Sequence, residues 1–276
     1  MDLSRTSALV SGGAGGLGGA TSRRLAELGA HVVILEPERR RADLLAAEIG
    51  PRAVVHQGDH TSEADVRAAI AVAQDLGTFA INVNSAGISI PTPAVATADG
   101  TPHDMGVFRE MIELHLMGPF NVTRLAAAAM AANDPDEHGQ RGLIVNTSST
   151  AAQDGQAHQV AYAGAKAAIK AMALAMARDL GPIGVRVNAI APGPIWTPRL
   201  AGASDELKTA LTANIAFPKR FGEAWEYASL VEMMIRTPFL NGQTIRLDGA
   251  MSTPLTAMTP SVRRNGADFA GNADPA

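Results

Sequence analysis

Seven short runs dense in valine, isoleucine and leucine recur along the chain: TSALVS (6–11), HVVILE (31–36), AVVHQ (53–57), TFAINV (78–83), GLIVNTS (142–148), VRVNAIA (185–191) and QTIRLD (243–248). Each is too short for a helix, and most are apolar at successive rather than alternate positions, as in strands covered on both faces. Between them lie alanine-rich stretches with helical spacing: ATSRRLAEL, ERRRADLLAAEI, SEADVRAAIAVAQDL, VFREMIELHLMGPFNVTRLAAAAMAA (107–132), the run around VAYAGAK and AWEYASLVEMMI. Strand and helix alternate over most of the length. With right-handed crossovers this predicts an α/β fold, a single doubly wound parallel sheet of Rossmann type, about seven strands, with helices on both faces.

Three segments break the alternation. Residues 88–106, ISIPTPAVATADGTPHDMG, form a long insertion rich in Pro, Thr and Gly, a kind of loop that is usually functional or mobile. Residues 133–142, NDPDEHGQRG, read as an exposed loop. From Pro254 onward apolar periodicity fades, so we expect one domain over residues 1–253 and a tail over 254–276 that frays or packs on a neighbouring subunit.

Composition narrows the class. With 276 residues, 46% hydrophobic, one large domain needs no covalent staples. The absence of cysteine excludes disulfides, thiolate metal sites and a cysteine nucleophile, and fits a reducing cytoplasm. A net charge of −4 gives no electrostatic reason to expect nucleic acid or an anionic membrane as partner. The N-terminal stretch reaches glycines before a signal-peptide core could form, and no apolar run approaches a membrane span.

The first strand runs into SGGAGGLGGA, which holds Gly12-x-x-x-Gly16-x-Gly18 and also Gly13-x-Gly15-x-x-Gly18. Such a loop lets backbone approach a pyrophosphate seated at a helix N-terminus. No Gly-Lys-Ser/Thr follows, which argues against a phosphate-hydrolysing loop. Glu36 ends the second strand, where a carboxylate accepts from the adenosine ribose and repels a 2′-phosphate, favouring NAD over NADP. Arg39, Arg40 and Arg41 are the counter-argument, although an exposed basic helix face explains them as well.

Tyr162 and Lys166 stand four apart, one turn on the same helical face. Such pairs are common by chance, but a cation about 4 Å from a phenol at an effective dielectric of about 20 would contribute about 4 kcal/mol, enough to lower its pKa by about three units. His56 and His60 are also four apart but flank a strand end, so helical metal spacing does not apply, and no metal is expected. His60 is expected to offer backbone beside an adenine, with Asp59 supplying a carboxylate.

SGGAGGLG, Asp59, NSAG (84–87), Ser149, the Tyr162/Lys166 pair and APGPIWT stand in the order and spacing of the short-chain dehydrogenase/reductase family, which the chain resembles from about Ser7 to Met251. The resemblance implies catalysis by Ser149, Tyr162 and Lys166, with Tyr162 as proton donor and acceptor and Lys166 lowering its pKa. Ser149 would orient the substrate oxygen; Ser148 is the nearby rival, and ordinary turn chemistry accounts for either. Gly12, Gly15, Leu17, Gly18, Glu36, Asp59, His60, Ser85, Gly87, Ile195 and Thr197 would line the cofactor, and Lys166 would also hold the nicotinamide ribose. Gln156 would join Ser149 and Tyr162 at the substrate.

Within the family, ELHLMGPFNVTRL, GQRGLIVNTSS, ARDLGPIGVRV, PFLNG, IRLDGA and the long insertion resemble members that act on 3-hydroxyacyl-CoA. That implies reversible NAD-linked oxidation to the 3-ketoacyl-CoA by a homotetramer, with the insertion shaping the acyl-CoA cleft. One departure stands out: His115 occupies the place of a family asparagine thought to hold a water in the proton relay. Histidine could bond that water, relay protons itself, displace the water, or be satisfied elsewhere in the helix. Rival readings are a dehydrogenase of a steroid, another secondary alcohol or a carrier-protein thioester, and a non-catalytic NAD-binding scaffold.

Overall fold

A computed structural model describes residues 1–88 and 92–251, the Arg199 side chain excepted. The expectation for the tail over 254–276 therefore lies outside the described residues. In chain order the elements are β1 (Thr6–Ser11), α1 (Gly16–Glu27), β2 (His31–Glu36), α2 (Arg39–Ile49), β3 (Ala53–Gln57), α3 (Glu63–Leu76), β4 (Thr78–Asn84), α4 (Met105–Ile112), a π-turn (Glu113–Met117) and α5 (Gly118–Met130). These are followed by β5 (Gly142–Thr147), α6 (Val160–Leu180), β6 (Val185–Pro192), α7 (Pro198–Ala201), α8 (Asp205–Ala213), α9 (Ala224–Arg236) and β7 (Thr244–Leu247).

The strands form one parallel sheet in the order β3-β2-β1-β4-β5-β6-β7. The chain moves outward from β1 to β3 and then returns to pair β4 with the other edge of β1, Leu9 lying between Val33 and Asn82 in register. Crossovers diverge at that reversal, and a crevice opens at the carboxyl ends of β1 and β4. This is the Rossmann arrangement that the alternation of elements predicts.

Continuous apolar strands need cover on both faces, and both are covered. Leu25 of α1, Leu45 of α2 and Tyr227 and Val231 of α9 close one core over Val10 and Ile34. Val66 and Ile70 of α3, Val122 and Leu125 of α5 and Met176 of α6 close the other over Leu9 and Ile144.

Three features differ from the sequence expectation. The single helix expected over 107–132 is interrupted by the π-turn. Its cause is visible in Gly118-Pro119: the Gly118 N–H reaches five residues back to the Glu113 carbonyl, Pro119 has no N–H to give Leu114 in the same way, and His60 Nε2 instead meets the Leu114 carbonyl at 3.0 Å. The helices α7 and α8 fill a span where none is expected; the Ser204 hydroxyl accepts from Leu207 N and caps α8. Finally, the stretch Val160–Ile183 is long and apolar enough by length and composition to cross a membrane, contrary to the expectation from runs of apolar residues. In this fold it packs on β5 and β6 and carries Lys166 inward.

The insertion is not featureless where it is described. Thr92 donates from N and Oγ1 to the His158 carbonyl, Ala96 bridges Pro102, and His103 Nδ1 donates to the Pro93 carbonyl.

Candidate active site

The glycine loop lies at the mouth of the crevice, and two of its glycines are required by contacts. Gly12 has φ +65°, and a methyl on it would stand 2.5 Å from the Ala86 Cα. A methyl on Gly18 would stand 2.1 Å from the Gly12 carbonyl oxygen and 2.6 Å from Ser85 Oγ. Helix α1 starts after Gly15 with no side-chain cap, so its first amides face the crevice as anion donors. Leu17 sits in that first turn, packed against the core. Ser85 Oγ donates to the Ser11 carbonyl at 2.7 Å, so the hydroxyl ties the residue after β4 to the end of β1, where the glycine loop begins.

Glu36 is 2% exposed at the end of β2, and its Oε1 accepts from Arg41 Nη2 at 2.7 Å. Its Oε2 is buried without a partner among the described residues. A buried orphan acceptor beside an uncapped helix start and a glycine cradle fits the hydroxyls of an adenosine ribose. The three arginines split: Arg39 pairs with Asp43, whereas Arg41 meets Glu36, a partnership that spacing alone did not reveal. Asp59 is exposed, its carboxylate accepting from Thr61 N at 2.8 Å, while the His60 ring turns inward under the π-turn. The Asp59 N–H is itself taken by Asp65 Oδ2 at 2.8 Å, so Asp59 presents its exposed carboxylate, whereas the His60 side chain is committed to the Leu114 carbonyl.

At the carboxyl end of β5 the two serines have separate tasks. Ser148 Oγ donates to the Lys166 carbonyl at 2.8 Å, fixing α6 to the strand. Ser149 faces Tyr162, whose phenol bonds to its side chain. Of the two serines, Ser149 is the one bonded to Tyr162. Burial pushes the Tyr162 phenol above its ordinary pKa, and the Ser149 hydrogen bond opposes that rise. Lys166 is 3% exposed; burial brings it down to about 8, and its Nζ donates to the Thr147 carbonyl at 2.8 Å.

The expected lowering of the Tyr162 pKa by Lys166 is not what this geometry produces. The ammonium is 5.7 Å from the ring centre and donates to the Thr147 carbonyl, and burial is the largest cause acting on the phenol. Thr147 is the residue that sequence reasoning missed. Its carbonyl holds Lys166, and its Oγ1 bonds to Tyr227 OH at 2.7 Å, linking α9 to the site; its place in NTSST was the available signal.

Around this centre, Gly87 (φ +131°) lies against His115, which is 1% exposed and edge-on to Tyr162 with ring centroids 4.9 Å apart. Burial, reinforced by the Lys166 charge, lowers His115 to about 3. Gln156 is half-buried with its Oε1 unpartnered among the described residues. The Thr197 methyl closes over the glycine loop, 2.5 Å from where a Gly16 Cβ would be. Ile195 is 6% exposed and its side chain belongs to the core, so only its backbone borders the crevice.

Comparisons with known proteins agree with this geometry. A family model described as short chain dehydrogenase matches residues 6–208. The chain is 43% identical to 3-hydroxyacyl-CoA dehydrogenase type-2 from Homo sapiens over 88% of this chain and 94% of the relative. Against the protein of the same name from Drosophila melanogaster it is 44% identical, over 88% and 96%. The crystal structure of 3-hydroxyacyl-CoA dehydrogenase type-2 from Mycobacterium avium superposes with a TM-score of 0.90 at 42% identity, covering 92% of this chain and 98% of that one. Crevice, cradle and the Ser149–Tyr162 pair have their explanation in that kinship: the chain belongs to the short-chain dehydrogenase family, oxidoreductases that use a nicotinamide dinucleotide.

Proposed function

We propose that this protein interconverts 3-hydroxyacyl-CoA and 3-ketoacyl-CoA with NAD(H), using Ser149, Tyr162 and Lys166. The observation that carries the reading is the Tyr162 phenol hydrogen-bonded to Ser149, with the Lys166 ammonium buried one turn away. The relatives named 3-hydroxyacyl-CoA dehydrogenase type-2, with most of both chains covered, support the substrate. The unpartnered Oε2 of Glu36 supports NAD over NADP.

A bound nicotinamide dinucleotide supplies or accepts the hydride at the substrate carbon. In the reductive direction Ser149 donates to the ketone oxygen and Tyr162 passes its proton there as the alcohol forms. A phenol that burial holds protonated suits that direction. In oxidation the deprotonated Tyr162 takes the substrate hydroxyl proton as the hydride leaves for the nicotinamide, with the Lys166 ammonium 5.7 Å from its ring centre. The amides of the α1 start would take the pyrophosphate, Glu36 the adenosine ribose, and the Gln156 amide and the described part of the 88–106 insertion would border the acyl thioester.

Assembly as a homotetramer belongs to the same proposal. Met105, Met117, Phe120 and Leu174 are 40–54% exposed on α4, the π-turn, α5 and α6, and Trp225 and Phe239 are 62% and 101% exposed on α9 and before β7. Large apolar side chains this exposed call for cover.

The test is NADH oxidation with acetoacetyl-CoA, run beside NADPH and a matched ketone lacking CoA, with Tyr162→Phe as control. Turnover that requires NADH, the thioester and Tyr162 supports the proposal. Turnover of the plain ketone alone would favour another secondary alcohol. Tight NADH binding with no turnover on any ketone would favour a scaffold. Light scattering on the purified chain tests the tetramer.

A further inference from the structure

Two histidines anchor the π-turn, His60 from outside it and His115 from within it. His60 Nε2 lies 3.0 Å from the Leu114 carbonyl, and His115 Nε2 lies 2.9 Å from the Ile88 carbonyl. A carbonyl only accepts, so each ring carries its proton on Nε2. Each ring is also seated against a glycine with no room for a methyl. A Cβ on Gly118 would stand 2.1 Å from His60 Cδ2, and one on Gly87 would stand 2.7 Å from both Cε1 and Nδ1 of His115. Asn121 adds a tie, its Nδ2 donating to the His60 carbonyl at 3.1 Å.

We infer that His115, held through the π-turn by His60, is a positioning residue for Tyr162 and carries no proton in the reaction. The inference rests on Tyr162 being the acid–base group of the proposed function. One observation argues against a relay role: the Nε2 proton of His115 is committed to the Ile88 carbonyl, which cannot take it on, so a proton reaching Nδ1 has no way through the ring. What remains is mechanical. The imidazole edge meets the Tyr162 ring at 90°, fixing the plane of the phenol and shielding it from water. The Ile88 tie fixes where the insertion leaves the site. Burial disfavours charge on both rings, and Lys166 works against it from the adjacent helix, while Asp59 and Glu113 favour it weakly at His60.

Two variants separate the halves of the role. His115→Asn keeps a donor for Ile88 and removes the ring edge; His115→Phe keeps the edge and removes the donor. With NADH and acetoacetyl-CoA, each should lower kcat roughly ten- to a hundredfold, with the Kd for NADH within about twofold of the parent, as the cradle is untouched. Only His115→Asn should shift the pH–rate limb assigned to Tyr162, because only there does the phenol gain solvent. His60→Gln should lower kcat in the same sense without moving NADH affinity. If His115→Phe falls to the level of Tyr162→Phe while His115→Asn matches the parent, the polar contact alone matters, the ring edge positions nothing and the inference fails. If all three variants match the parent, it fails as well. Should Tyr162→Phe itself keep the parent rate, the proposed catalytic site is wrong, a separate failure. A measurement free of mutagenesis is the long-range ¹⁵N spectrum of the NADH complex between pH 5 and 8. It should show His115 neutral with the proton on Nε2, and a charged ring or an Nδ1–H form overturns the inference.

Discussion

Lys166 follows Tyr162 by one helical turn, its ammonium 5.7 Å from the tyrosine ring centre and 2.8 Å from the Thr147 carbonyl. Among the described residues no carboxylate pairs with it. A charge buried with one carbonyl for company destabilises the fold, as its pKa of about 8 against the ordinary 10.5 records. The site therefore trades stability for an electrostatic field at the phenol.

Replacing Lys166 by methionine, close in volume, should abolish turnover yet raise stability at pH 7 by roughly 1–3 kcal/mol, the lower value allowing for the bereft Thr147 carbonyl. The sign with pH follows from the lowered pKa. Between about 8 and 10.5 the unfolded lysine holds a proton that the folded one has released, so parent stability gains as pH rises through that window. The Met variant lacks that gain. Urea unfolding of both proteins at pH 7, 8 and 9.5 gives the difference directly, and parallel curves would contradict it.

Acid acts through the histidines. His115 is lowered to about 3 and His60 is lowered by burial, so below about 6.5 the unfolded chain takes up protons that the fold refuses. Stability contributed by the neutral rings is complete above the unfolded pKa and falls away from about pH 6.5 towards 3. For His115 the loss at pH 4.5 amounts to at most about 2–3 kcal/mol. Denaturant midpoints for the parent and His115→Asn should diverge between pH 7 and 4.5, the parent losing more.

Strand boundaries were legible because each buried strand of this sheet is a nearly pure apolar run closed by a turn residue; Thr6–Ser11, His31–Glu36 and Ala53–Gln57 have the bounds that the sequence pattern predicts. The site was legible where spacing encodes it, as in the glycines and the Tyr162/Lys166 turn. Pairings between distant elements were not. Glu36 with Arg41, Lys166 with Thr147 and His60 with Leu114 depend on how a strand end meets a helix, which local pattern does not carry. The π-turn had a local signal in Gly118-Pro119, but strong helical periodicity on both sides obscures it. The sign of the Tyr162 shift depends on depth of burial and on where one ammonium points, and neither is encoded in spacing.

Cofactor choice should turn on Glu36. Glu36→Ala removes the acceptor for the ribose hydroxyls and the charge that repels a 2′-phosphate, and it frees Arg41, which now donates to Glu36 at 2.7 Å. A hydrogen bond to a charged group contributes about 1.5–3 kcal/mol, so kcat/KM for NADH should fall roughly ten- to a hundredfold. The value for NADPH should rise in the same variant and drop again in Glu36→Ala/Arg41→Ala. An unchanged NADH/NADPH ratio would remove Glu36 from cofactor selection.

Gly87 carries the last prediction, because two separable penalties meet there. Its φ of +131° is a conformation that side-chain-bearing residues rarely adopt, and a methyl on it would stand 2.7 Å from the His115 ring. Gly87→Ala should therefore destabilise by about 2–4 kcal/mol, from backbone strain and overpacking together. Only the second penalty involves His115. In Gly87→Ala/His115→Ala the clash is gone and the strain remains, so the double variant should be more stable than the sum of the two single losses, by roughly 1–2 kcal/mol. Chemical denaturation of all four proteins closes this cycle. Additive losses would mean that the glycine answers only to its backbone angle and that the imidazole has room to move, which would loosen the brace on Tyr162.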